Sequence, residues 1–363
     1  MEIPKINEKS TFRKINKIIE YAFVHNIFVL YCKKGLSLVK KVMISAYLNS
    51  NLGDDLFIKI LCERYPRTNF YIYGNGMNRR VFITLNNLHY ISSSHLFFKM
   101  MDKLSNGLIH KSWIHSIIGS RVDTHVYIGG SLFMQREAWK KQVHFDRKMI
   151  INGKPNYLIG CNFGPYTEQN FLKSYHQIFS KYEDVCFRDM ESYKLFKDVA
   201  STRTAPDVVF NLQPKLESHK EYGAIGISLI DLSHRKNLKK YKDNYLNKLK
   251  EICDYYTANA LRVTLFSFCK NQGDEAAVHE LLEKLKQETK KKVKVVYYTD
   301  DLEHVLSELN KTDVVFATRF HAMILGFIFG KKVFPIIYSK KMTNVLEDLN
   351  FKGEYIHIKN INQ

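Results

Sequence analysis

The sequence predicts an α/β protein made of two doubly wound halves facing a cleft. Three observations carry this. Short apolar runs of strand length alternate with helix-length amphipathic stretches from Val42 almost to the C-terminus. The alternation pauses once, at Ala205-Pro206-Asp207 and the polar segment Gln213 to Glu221, and then restarts. A chain of 363 residues with 45% hydrophobic content also suffices for two ordinary cores.

Taken in order, Val42 to Tyr47 reads as a buried strand closed by the polar turn Asn49-Ser50-Asn51-Leu52-Gly53-Asp54. Asp54 stands where a helix N-cap is expected, ahead of Leu56 to Cys62, and Asn69 to Tyr73 completes a β-α-β unit. Strands follow at Thr124 to Ile128, Tyr157 to Ile159 and Val185 to Phe187, with helices near Gln169 to Tyr182 and Met190 to Phe196. After the pause, Tyr222 to Ser228 opens the second series. It continues as helix Tyr241 to Asn259, strand Arg262 to Ser267, helix Glu275 to Thr289, strand Val293 to Tyr297, helix Leu302 to Leu309, strand Asp313 to Ala317, helix His321 to Phe329 and strand Lys332 to Ile336. The expected units are a basic arm over 1–41, domains over 42–215 and 216–340, and a tail over 341–363.

Charge points to anionic partners. The 55 basic and 36 acidic residues give a formal charge of +19, which attracts phosphates, uronic acids, nucleic acid or acidic lipids alike. The basic residues are spread along the whole chain and no nucleic-acid module is recognisable, so no nucleic acid is expected as partner. The arm holds Arg13, Lys14, Lys17, Lys33, Lys34, Lys40 and Lys41 around the apolar Ile18 to Tyr31, a pattern suited either to an anionic membrane surface or to an amphipathic helix packed on the domain. The stretch Tyr21 to Tyr31 is about half of the ~20 residues that cross a bilayer. Six scattered cysteines without a Cys-x-x-Cys pair read as free thiols, and Met1 to Ser10 lack a secretory h-region, so a cytoplasmic location is expected.

Nucleotide and metal motifs are absent. Gly74-Asn75-Gly76-Met77-Asn78-Arg79 has two of the three glycines of a dinucleotide fingerprint, but Arg79 replaces the third. Asp54-Asp55 and Asp300-Asp301 are helix-start acids by position, and no His or Cys pair has ligand spacing. No metal or cofactor is expected. The loops at strand ends carry the chemistry instead: Gly129-Gly130-Ser131, whose backbone N–H groups suit an anion or a plain tight turn, Gly160 to Pro165, and Thr318-Arg319-Phe320-His321-Ala322. In the last, a guanidinium fit for a bidentate oxyanion and an imidazole that titrates near neutral pH stand at a helix N-terminus.

In order and spacing these segments resemble the polysaccharide pyruvyltransferase family from about Met43 to Asp348. Asn51-Leu52-Gly53-Asp54 is similar to its Asn-x-Gly-Asp loop, Gly129-Gly130-Ser131 to its glycine-rich strand end, and Gly160 to Pro165 to its Gly-x-x-x-Gly-Pro segment. Arg188 with Ser192 matches its Arg-x-x-x-Ser, and Ala205-Pro206-Asp207 and Arg319-Phe320-His321-Ala322 complete the series. Two departures stand out: Cys161-Asn162 where a Gln-Ser pair is common, and Ser339 where an Asp often precedes the Lys position, here Lys341.

The resemblance implies a GT-B-like pair of Rossmann-like domains, with the acceptor on the N-terminal side and the donor on the C-terminal side. It implies phosphoenolpyruvate as donor, a sugar of a cell-surface glycan or exopolysaccharide as acceptor, lipid-linked or not, and a pyruvyl ketal with phosphate as products. By it His321 is the general acid, Arg319 and Arg188 hold the donor, Lys341, Gly129, Gly130 and Ser131 assist, and Asn51, Gly53, Asp54 and Asp55 lie on the acceptor side, with Asp54 or Asp55 as base. Two rivals share the architecture, a nucleotide-sugar glycosyltransferase and a non-catalytic glycan- or lipid-binding relative. Against the first, the chain lacks a Glu pair eight apart near its end, Glu347 and Glu354 being seven apart; against the second, Arg188, Arg319 and His321 are intact.

Overall fold

A computed structural model describes residues 39–74, 80–92, 110–213, 223–235 and 237–361. The basic arm up to residue 38 and residues 75–79 lie outside the described residues. The first sheet holds β1 (Lys41–Ala46), β2 (Asn69–Gly74), β3 (Leu88–Ser92), β4 (Thr124–Ile128), β5 (Asn156–Cys161), β6 (Asp184–Phe187) and β7 (Thr202–Thr204), in the order β3-β2-β1-β4-β5-β6-β7. The second holds β8 (Ala224–Ser228), β9 (Arg262–Ser267), β10 (Val293–Tyr297), β11 (Val314–Ala317), β12 (Lys332–Ile337) and β13 (Ile356–His357), in the order β10-β9-β8-β11-β12-β13. Every pairing is parallel. Strands such as β8, buried along its whole length, are apolar up to the closing Ser228 because helices cover both faces. The strand order reverses between β1 and β4 and between β8 and β11, which opens a crevice at the carboxyl ends of each sheet.

The helices among the described residues are α1 (Leu52–Arg64), α2 (Arg80–Ile83), α3 (His110–Ser120), α4 (Trp139–Lys148), α5 (Gln169–Phe179), α6 (Met190–Phe196), α7 (Lys242–Ala258), α8 (Asp274–Lys284), α9 (Gln287–Lys292), α10 (Leu302–Asn310), α11 (Phe320–Ile328) and α12 (Lys340–Asp348). Three expectations are corrected. The cap of α1 is Asn51, whose Oδ1 accepts from Gly53 N at 3.1 Å, so Asp54 is the third helical residue and not the cap. The single helix expected over Glu275 to Thr289 breaks into α8 and α9, because Leu285 turns extended (φ −72°, ψ 148°) to bury its side chain. The segment expected as a tail is folded over residues 341–361: most of α12 lies there, and β13 pairs with β12.

The two sheets share one core. Leu56 and Phe57 of α1 belong to the same apolar cluster as Phe266, Phe268, Val305 and Met323 of the second half. The short turn Val208–Asn211 lies against both α1 and α11. Leu52 N donates to Phe268 O at 3.1 Å, and Tyr298 donates to the buried carboxylate of Asp55. On the other side α12 clasps α6: Lys340 pairs with Glu191, Asn344 Nδ2 donates to Glu191 Oε2 at 2.7 Å, and Met190 N donates to Asp348 at 3.3 Å.

A buried polar chain crosses the first sheet. Asn156 Nδ2 donates to the carbonyls of Ile151 and Lys154 while its Oδ1 accepts from Ile151 N, which fixes its amide orientation. His125 Nδ1 therefore donates to Asn156 Oδ1 at 3.0 Å, and its Nε2 accepts from Ser45 Oγ at 2.9 Å. Ser45 Oγ in turn accepts from His115 Nε2 at 3.4 Å. The fully buried His125 makes this a core network rather than a nucleophile open to substrate. Burial lowers the imidazoles from 6.5 to about 3 for His125, where the His115 charge adds to the effect, and about 4 for His115.

Both histidines take up protons more readily in the unfolded chain, so stability should fall as pH drops from about 6.5 through the folded values. His115→Leu should flatten the slope of unfolding free energy between pH 4 and 6.5 by about one proton, about 1.4 kcal/mol per pH unit. Denaturant titrations across that range measure it, and an unchanged slope would contradict a neutral buried His115.

Candidate active site

The site forms where the carboxyl ends of both sheets meet. After β11, the backbone N–H groups of Thr318 and Arg319 both donate to Ser228 Oγ at 3.1 Å, which pins the turn to the end of β8. Arg319 is the N-cap residue of α11, so His321 lies in its first turn. There the imidazole rests on the first turn of α1: a Cβ added to Gly53 would lie 1.7 Å from His321 Nδ1. Phe57 and Phe320 meet the ring edge to face at 5.5 and 5.1 Å between centroids. The buried Nε2 of His321 has no hydrogen-bond partner among the described residues and faces Asp207 Oδ2 at 3.9 Å.

Arg188 closes the first-sheet side. Its Nη1 donates to Asp207 Oδ2 at 2.9 Å, and Nη2 donates to Asn162 Oδ1 and, at 3.3 Å, to Ser131 Oγ. Gly130 must lack a side chain, since a Cβ would come within 2.6 Å of Nη1. Gly129 shapes the same turn, its N–H donating to Ile159 O at 3.3 Å. Asp207 is locked from the other side as well, Oδ1 accepting from Val209 N at 2.9 Å. The guanidinium of Arg188 lies over the Phe320 ring at 4.4 Å, Lys341 lies 5.2 Å from that ring and 5.7 Å from Tyr338, and Arg235 covers Tyr338 at 4.8 Å. Cations and aromatic rings thus alternate from one half to the other.

The structure brings Arg188, His321, Lys341, Gly53, Asp54, Gly130 and Ser131 together and changes the reading of three residues. Arg319 was expected to take the donor in bidentate fashion, but its fork is occupied by Asp274: Nε donates to Oδ2 at 2.7 Å, Nη2 pairs with Oδ1, and Nη1 donates to Gln272 Oε1 at 2.6 Å. Asp274 is fully buried and also accepts from the backbone N–H groups of Phe268 and Cys269. Of the two candidate bases, Asp55 is turned into the core toward Tyr298, while Asp54 stays half-buried at the cleft. Asn51 acts as the helix cap.

Electrostatics divides the groups. Burial first, then Arg188, Lys341 and Arg319, hold His321 well below its ordinary value, so the imidazole is neutral without a ligand. Burial and neighbouring Asp55 push Asp54 up to about 7 against the pull of Arg188 and Lys341. Burial works against ionisation of Tyr338, yet Lys341, Arg319 and Arg235 bring its hydroxyl down to about 8. Tyr338, Arg235, Asp274 and Gln272 were not found by sequence reasoning: Asp274 looks like any helix-start acid, and Arg235 is one more residue in a basic stretch. Only Tyr338, three residues before Lys341, lay close to a motif. Among the described residues no group of three His, Cys, Asp or Glu side chains could hold a metal ion, and no helix is long and apolar enough to cross a membrane.

The sequence family described as "Polysaccharide pyruvyl transferase" matches residues 51–340. The chain belongs to that family. No curated protein matches it. Solved structures similar to this pyruvyl transferase family member include HepE (Alr3699) of Anabaena in complex with UDP, with 12% identity, TM-score 0.52 and 89% of each chain covered. The same protein with UDP and glucose gives 12% identity and TM-score 0.50, covering 84% of this chain and 83% of that one. A Listeria monocytogenes protein provisionally named UDP-N-acetylglucosamine 2-epimerase gives 10% identity and TM-score 0.55 over 85% of this chain and 82% of its own. At such identities the likeness is one of fold, the GT-B type.

Two outcomes test this geometry. Gly53→Ala should cost about 1–3 kcal/mol, because the new methyl group displaces a packed ring; a melting temperature equal to the parent's would show that the imidazole is not held there. For Asp54 the folded pKa lies above the ordinary 3.8, so ionised Asp54 opposes folding increasingly from pH 3.8 to about 7 and fully above it. Asp54→Asn should therefore raise the melting temperature at pH 8 and change it little at pH 4. Equal shifts at both pH values would contradict the raised pKa.

Proposed function

We propose that this protein moves the pyruvyl group of phosphoenolpyruvate onto two hydroxyls of a sugar in a cell-surface glycan or exopolysaccharide, forming a ketal and releasing phosphate. The observation that carries the reading is a neutral imidazole, its buried Nε2 without a hydrogen-bond partner among the described residues, set among Arg188, Lys341 and Arg319. Family membership supports the same transferase class. A trianionic donor adds negative charge beside Lys341 and the paired arginines. On its arrival the field at His321 reverses, the imidazole pKa rises, and protonation is tied to donor binding.

His321 then donates its proton to C3 of the enol, whose C2=C3 electron pair forms the new C–H bond and leaves cationic character at C2. One sugar hydroxyl adds at C2 while Asp54 takes its proton. The C2–O bond to phosphate breaks with its electron pair on the leaving oxygen, and the second hydroxyl closes the ketal. Of the two hydroxyl protons, one replaces the proton given to C3 and the other leaves on phosphate. Lys341 and Arg188 stabilise the departing phosphate, a contribution whose loss costs about 10²–10³ in rate. Arg319 acts through its field and by fixing the turn, since its fork is engaged. The acceptor sits on the first-sheet side, next to Asp54.

Incubation with oligosaccharide acceptors and either phosphoenolpyruvate or a UDP-sugar, followed by phosphate release and product mass, tests the reading. Phosphate release with a pyruvylated product is expected, without added metal or nucleotide. His321→Gln should lower turnover by about 10²–10⁴ with donor binding retained. Transfer from the UDP-sugar alone would make the protein a nucleotide-sugar glycosyltransferase, the ligand class seen in the Anabaena structures.

A further inference from the structure

Three arginines face the cation cluster, and their hydrogen bonds set them apart. Arg188 is tied to Asp207, Asn162 and Ser131, and Arg319 to Asp274 and Gln272. Arg235, half-buried in the loop after β8, makes one side-chain hydrogen bond, from Nε to Asp231 O at 3.3 Å, and no described residue accepts from its two terminal nitrogens. A guanidinium held at Nε with Nη1 and Nη2 turned out is the form that takes an oxyanion two-pronged.

The described residues on either side of Arg235 are held by hydrogen bonds. Asp231 Oδ1 accepts from Ser233 N at 2.8 Å, Arg235 N donates to Leu232 O at 3.1 Å, and Arg235 O accepts from Leu238 N and Lys239 N at 2.8 and 2.9 Å. The plane of the guanidinium is set by the Tyr338 ring 4.8 Å away. β8, from which the loop departs, borders the strand-order reversal of the second sheet, where a ligand of such a fold sits. We infer that Arg235, laid on the Tyr338 ring, is the arginine that grips the oxyanion of the donor, with Tyr338 as its positioning residue. This rests on the reading of the donor as a small anion, but not on its being phosphoenolpyruvate.

Calorimetric titration of the full chain with phosphoenolpyruvate, inorganic phosphate, pyruvate and UDP, before and after substitution, tests it. Arg235→Gln should weaken binding of phosphoenolpyruvate about 10- to 100-fold, the strength of a charge-assisted contact. Arg235→Lys should recover only part of that, because an ammonium cannot form the fork. Tyr338→Phe keeps the platform and should hold affinity near the parent's, whereas Tyr338→Leu should lose it as Arg235→Gln does. A merely structural Tyr338 would instead lower the melting temperature of Tyr338→Leu without changing its affinity.

A parallel loss for inorganic phosphate assigns the contact to the phosphoryl group, and one for pyruvate to the carboxylate; either supports the proposal. If only UDP binds the parent and Arg235→Gln loses it, the pyruvyl reading falls while the role of Arg235 stands. If a folded Arg235→Gln protein binds phosphoenolpyruvate like the parent, the proposal fails while the pyruvyl reading stands. Parent protein that binds none of the four overturns both.

Discussion

The first turns of α1 and α11 meet where the His321 imidazole rests on Gly53, which offers no side chain of its own. Everything else in the site depends on that contact. It joins the two sheets at their carboxyl ends, covers one side of the imidazole, and leaves Nε2 facing Asp207, with the charges of Arg188 and Lys341 acting on the ring. The apolar cluster beneath, with Phe57 against His321 and Phe268 near the start of α1, makes the approach of the two halves a packing requirement.

Two buried ion pairs hold the cluster open. Arg188 with Asp207 and Arg319 with Asp274 are each taken out of water, where the attraction scarcely offsets the desolvation. Their value lies in geometry. Each carboxylate also accepts backbone N–H groups, Val209 for Asp207 and Phe268 and Cys269 for Asp274, so each guanidinium is tied to a particular turn. Removing one partner would strand a buried charge, at a cost of about 3–5 kcal/mol. The positive potential at His321 is therefore a fixed property of the folded chain and needs no reorganisation when an anion arrives.

How far the sequence revealed this follows from where the determining contacts lie. Strands with buried apolar centres, such as Lys41–Ala46 and Ala224–Ser228, stand out as apolar runs, and the motifs at their ends are where open parallel sheets bind ligands. The break between α8 and α9 was hidden because the helical pattern runs on, and only the pull of the core on Leu285 interrupts it. Asp54 looked like a cap because Asn51, three residues earlier, was read as turn. Within the site, Arg188 and His321 could be placed because their motifs are local. The engagement of Arg319 could not, since Asp274 lies 45 residues away and a helix-start acid carries no mark of its partner. Arg235 was hidden for the opposite reason: the chain holds 55 basic residues, and what sets this one apart is that its terminal nitrogens have no acceptor among the described residues, which a sequence does not display.

The core shared between the halves has a consequence for biogenesis. A ribosome delivers α1, with Leu56 and Phe57, long before Phe266, Phe268, Val305 and Met323 exist to cover them. The nascent first sheet must wait with an apolar face exposed, in the condition that recruits chaperones and invites aggregation. Lys341, on the helix that clasps α6, emerges later still. The candidate site is thus completed only after its last residues have been made, and a stalled translation product would expose the sticky face.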